Sequence, residues 1–124
     1  MKLISTIIFF LNLSVAQTWY NHSELVWKTF ETDHFIFYYH EGTENTISEA
    51  AYVAEKIYEP ITNYYKYRPK NKTSIIIKDT DDISNGTAYY YDNKIEIWAH
   101  PLDFDLRGSH RWLQNVITHE FTHI

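Results

Sequence analysis

Apolar and polar positions change period several times along this chain, and each change marks an element. Residues 34–40, HFIFYYH, are aromatic and β-branched enough to predict a strand, bounded by Glu41 and Gly42. The period then lengthens. Ile47, Ala50, Ala51, Ala54, Ile57, Tyr58 and Ile61 recur at helical steps, and Thr46 with Glu49 has capping-box spacing. Pro60 lacks the N–H that a helical ladder needs, so a kink or a split is expected there, with Pro69 beyond the helix end.

Residues 73–79, TSIIIKD, form a short unbroken apolar run followed by polar residues. Such a run predicts a central strand buried on both faces. Residues 85–99 hold two β-rich runs around Asp92, Asn93 and Lys94, which predicts a hairpin. Tyr89, Tyr90 and Tyr91 would then alternate across its two faces. Ser109, after Gly108, can cap a last helix in which Leu113, Val116, Ile117 and Ile124 recur at steps of three, four and seven. No internal repeat or low-complexity tract is present. Strand, helix, strand, hairpin and helix together predict an α+β fold, a small mixed sheet with helices packed against it.

The last helix holds the chemistry. His119-Glu120-Phe121-Thr122-His123 has the HExxH spacing, and residues four apart on a helix share a face, so two imidazoles can converge on one ion. Zinc takes imidazole nitrogen at roughly 2.0–2.1 Å, and a catalytic zinc usually has three protein ligands with one position open. Glu120 stands beside the ion without having to coordinate it, as the candidate general base. A lone histidine beside an apolar stripe is more often a satisfied core residue than a ligand. Two of them at this spacing with a glutamate between are harder to explain so. His34, His40, His100 and His110 have no spacing that singles out a further ligand, and structural or surface roles are expected for them.

Composition narrows the remaining choices. The 124 residues suit one domain at most, and with 44% hydrophobic and 18% aromatic residues the chain can build a core. A formal charge of −5 with scattered Lys and Arg offers no basic patch, so no nucleic-acid partner is suggested. The absence of cysteine excludes disulfides and thiolate zinc sites. Residues 1–16 read as a signal peptide: Lys2, an apolar run from Leu3 to Leu13, then Ser14-Val15-Ala16 as a cleavage site. The run is short for a membrane span, so no stable span is expected after cleavage. Export to a periplasmic or extracellular location follows, and the mature chain keeps ten Lys and Arg against sixteen Asp and Glu, a charge of −6. Asn21, Asn71 and Asn85 each open a glycosylation sequon.

The stretch KDTDDISNGTAYYYDNKIEIWAHPLDFDLRGSHRWLQNVITHEFTHI, residues 78–124, resembles the amino-terminal part of exported peptidase MA-like domains of the gluzincin class. These are zinc metallopeptidases in which Tol-type β-propeller repeats often follow the peptidase domain. The likeness covers most of residues 22–124 and rests on HExxH joined to the NGxAYYYDNKIEIWA hairpin and the PLDF segment. It implies His119 and His123 as zinc (Zn2+) ligands, Glu120 as catalytic base, and a third ligand, usually a glutamate, on a later helix. It further implies that residues 17–124 are a peptidase domain incomplete at its carboxyl end and inactive alone, with a β-propeller downstream in the full-length chain. A peptide or protein substrate would bind as an added strand at a sheet edge beside the metal helix. Gly86, Thr87 and Ala88 match that stretch, their small side chains allowing close backbone approach, although an ordinary turn opening a hairpin would look similar. The competing expectation is a non-catalytic exported module beside a propeller, its motif vestigial or metal-storing.

Overall fold

The computed structural model describes residues 22–80, 83–100 and 111–124. The signal segment, the PLDF segment, Asn21, Gly108, Ser109 and His110 lie outside the described residues. Among the described residues five strands make one mixed sheet: β1 (Trp27–Glu31), β2 (Phe35–His40), β3 (Thr73–Lys78), β4 (Gly86–Tyr89) and β5 (Lys94–Trp98). Two helices among the described residues, α1 (Glu44–Tyr65) and α2 (Trp112–Phe121), pack with it in an α+β fold. Strand order is β1-β2-β3-β5-β4, with β2-β3 and β3-β5 parallel and the outer pairs antiparallel.

The expected central strand is indeed β3, the third of five. Its burial alternates, however. Thr73, Ile75 and Ile77 are buried, whereas Ser74, Ile76 and Lys78 are only partly covered. Both helices pack against one face, where Phe35, Phe37, Ile75, Ile77, Ile95 and Ile97 meet Ala50, Ala54, Ile117 and Phe121. An unbroken apolar run therefore does not require two covered faces.

Three further departures have local causes. Helix α1 begins at Glu44, ahead of the Thr46 capping box, because Gly42 at φ 93° turns the chain out of β2 and Glu44 Oε2 accepts the Gly42 N–H at 2.9 Å. It also runs through Pro60 unbroken, since buried Ala51, Val53, Ala54, Tyr58 and Thr62 hold both halves to the core. The tyrosines do not alternate along a strand. Only Tyr89 belongs to β4; Tyr90 and Tyr91 form a 3-10 turn with Asp92, leaving Tyr91 97% exposed. Asn93 closes that turn in the left-handed region, which asparagine tolerates, and its side chain accepts from Thr73 Oγ1 at 2.8 Å. Strand β1 is not legible in the pattern of apolar positions. Its residues Trp27, Thr29, Phe30 and Glu31 are exposed, so no clean apolar pattern marks it.

Candidate metal centre and sheet edge

Helix α2 is fixed at both ends, and that sets where the HExxH residues stand. At its start, Trp112 Nε1 donates to the Trp98 carbonyl at 2.8 Å, tying the helix to the end of β5. At its end, Phe121 packs edge-on to Phe35 at 5.3 Å and beside Tyr58 at 5.8 Å. The closing turn bonds in 3-10 fashion: Thr122 N–H to His119 O at 3.1 Å, His123 N–H to Glu120 O at 3.0 Å. His123 thus sits just past the regular helix, in a turn held by buried Phe121 and Ile124.

His119 and His123 are exposed and aim their Nε2 atoms at each other, 3.3 Å apart. Two zinc–imidazole bonds of about 2.05 Å meeting at a tetrahedral angle span about 3.3 Å. That separation matches the span that two imidazole ligands of one tetrahedral zinc would have. The same separation also admits an Nε2–H···Nε2 hydrogen bond when only one ring carries its proton there. Among the described residues no group of three or more His, Cys, Asp or Glu gathers around a common point.

Glu120 is half-buried and turned toward the hairpin. A Cβ built on Gly86 would lie 3.0 Å from Glu120 Cγ, 3.2 Å from Glu120 Oε1 and 2.3 Å from Val116 Cγ2. The absent side chain at Gly86 is thus what lets α2 press onto β4 and sets the carboxylate beside that strand. Strand β4 is the outer strand on this side of the sheet. Since Trp98 N–H donates to Asn85 O at 2.9 Å and Gly86 pairs with Ile97, the antiparallel alternation turns the main-chain groups of Gly86 and Ala88 to the outer edge, which no described strand covers. Thr87 faces β5 with its own. Gly86 and Ala88 thus turn their main-chain groups away from β5, and Thr87 helps hold the hairpin together.

His34, His40 and His100 have partners away from this pair. His34 donates from its backbone N–H at 2.9 Å and bonds through Nδ1 at 2.7 Å to Glu55, and it stacks on Tyr58. Burial raises the Glu55 carboxyl, but hydrogen bonds from His34 and Thr32 outweigh it and hold the group below its ordinary value. His40, 3% exposed, bonds through Nδ1 to Glu41 O at 2.8 Å and accepts the Asp79 N–H on Nε2 at 3.1 Å. His100 Nδ1 meets Asp79 Oδ1 at 3.1 Å.

Sequence reasoning missed Asn85, whose side chain lies at the mouth of the edge strand. The Asn-Gly pair is visible there, as part of a sequon and as the start of the NGxAYYYDNKIEIWA hairpin. No family model matches this chain, and no curated protein matches it either.

Proposed function

We propose that this chain contributes two zinc ligands, His119 and His123, and a general base, Glu120, to a metallopeptidase that hydrolyses peptide bonds. The observation that carries the reading is the 3.3 Å Nε2–Nε2 separation, the span of two imidazoles on one tetrahedral zinc. The position of Glu120 against edge-strand residue Gly86 supports it, because an extended peptide added to β4 would pass beside that carboxylate. On this reading the third ligand comes from outside the described residues.

When bound, zinc supplies Lewis-acid polarisation of a carbonyl and acidifies water toward a pKa of about 7. The outward N–H and C=O groups of Gly86 and Ala88 hold the substrate main chain extended. Glu120 takes a proton from the attacking water on a carboxylate oxygen and returns it to the leaving amine nitrogen. Val116, packed under Gly86, keeps the Glu120 side of the helix against the edge strand.

In the full-length protein, Glu120→Gln should retain stoichiometric zinc by elemental analysis and lose peptide cleavage, while His119→Ala should lose both. Cleavage that survives Glu120→Gln rules out the assigned base. Absence of stoichiometric zinc from the wild-type protein removes the enzyme reading and favours a non-catalytic exported module.

A further inference from the structure

Gly86 opens the edge strand, and the course of the main chain fixes where its N–H points. The Asn85 carbonyl faces β5, because it accepts the Trp98 N–H at 2.9 Å. The Asn85–Gly86 peptide is trans, as are all the described peptide bonds. Carbonyl and N–H point oppositely across a trans peptide, so the Gly86 N–H faces the outer edge, away from β5. There it already has a partner. It donates to Asn85 Oδ1 at 2.9 Å, so the exposed Asn85 side chain is folded across the edge of the sheet. This is also the outward donor whose residue packs directly against Glu120.

A peptide joining β4 needs outward N–H groups for its own carbonyl oxygens. The carboxamide of asparagine presents the same kind of carbonyl as a peptide bond. We propose that Asn85 is a built-in competitor for substrate: its Oδ1 holds the position of an incoming peptide carbonyl at Gly86, and a bound peptide displaces it. The inference rests on β4 being the substrate edge, but neither on zinc nor on hydrolysis. Without ligand, the cap covers a donor that a second sheet edge could otherwise use, which discourages edge-to-edge pairing. With ligand, one hydrogen bond inside the chain is exchanged for one to the peptide. A hydrogen bond has a net worth of about 0.5–1.5 kcal/mol, so the cap should weaken peptide binding by about 2- to 10-fold.

The test is a titration of 15N-labelled chain with a capped, uncharged hexapeptide of alternating threonine and valine. Wild type and Asn85→Ala are compared, with Asn85→Asp as the variant that keeps an acceptor oxygen. The expected result is a shift of the Gly86 amide on peptide addition and about 2- to 10-fold tighter binding by Asn85→Ala. Before peptide is added, the Gly86 amide of Asn85→Ala should exchange with solvent faster than in wild type or Asn85→Asp. Equal or weaker binding by a folded Asn85→Ala overturns the proposal. So does unchanged Gly86 exchange, or a Gly86 amide that ignores the peptide in every protein. A failure of the zinc measurements alone leaves this titration unaffected, so the two ideas stand or fall separately.

Discussion

Replacing Gly86 by alanine tests the contact on which the geometry of the site depends. The main chain at Gly86 does not need glycine for its dihedrals, since only Gly42 among the described glycines has positive φ. On that ground alone Gly86→Ala should stabilise by about 0.4–1 kcal/mol, by restricting the unfolded chain. The packing opposes it. The new Cβ would lie 2.3 Å from Val116 Cγ2 and 3.0 Å from Glu120 Cγ. Glu120 is long and can swing, but Val116 is 6% exposed and β-branched, with one strongly preferred rotamer on a helix. Relief therefore requires α2 to move off β4. Overpacking of this kind costs about 1–3 kcal/mol, leaving a net loss of about 0.5–2 kcal/mol after the entropic gain. In a domain of this size that corresponds to a fall in Tm of about 4–8 °C per kcal/mol. Thermal and urea denaturation of Gly86→Ala, Val116→Ala and the double variant measure it. In the double variant Cγ2 is gone, so the two losses should be less than additive by about 1 kcal/mol. A Gly86→Ala protein as stable as wild type, or strict additivity in the cycle, refutes the close approach of α2 to the edge strand.

Two further substitutions test neighbouring parts of the fold. Pro60→Ala should restore the helical N–H opposite the Lys56 carbonyl within α1 and raise stability by up to about 3 kcal/mol; an unchanged or lower Tm argues that the ring packs usefully in the groove it shares with Tyr52, Ile57 and Arg111. Glu96 is raised by burial, but Lys78 and Lys94 outweigh that and hold it below the usual carboxylate value. A depressed folded pKa contributes stability above the unfolded pKa, and that contribution is lost as pH falls through the folded value. Glu96→Gln should therefore cost about 0.5–1 kcal/mol at neutral pH after solvent screening, and urea titrations should show the difference vanish below the ordinary carboxylate range. A difference independent of pH excludes the charge pairing as its source.

Residues that fold through their own near neighbours were legible in advance. The helical spacing from Ile47 to Ile61, the apolar run at Ile75–Ile77 and the turn around Asn93 each declared an element, because periodicity and turn chemistry act over a few residues. The i, i+4 relation of His119 and His123 was equally local, and their Nε2 atoms lie 3.3 Å apart. Strand β1 escaped notice because it is held by pairing with β2 and little by burial, and Pro60 failed to split α1 because buried residues on both sides outweigh one lost hydrogen bond.

Sequence alone, then, determined the four-residue spacing of two histidines at the end of a helix, with a glutamate next to the first. Only the tertiary structure decided which strand would be the free edge, that Gly86 would lie under Val116 and Glu120, and that Asn85 would fold across the exposed N–H. Those facts depend on groups brought together by sheet order and helix docking, and side-chain contacts across such distances leave no period in the chain.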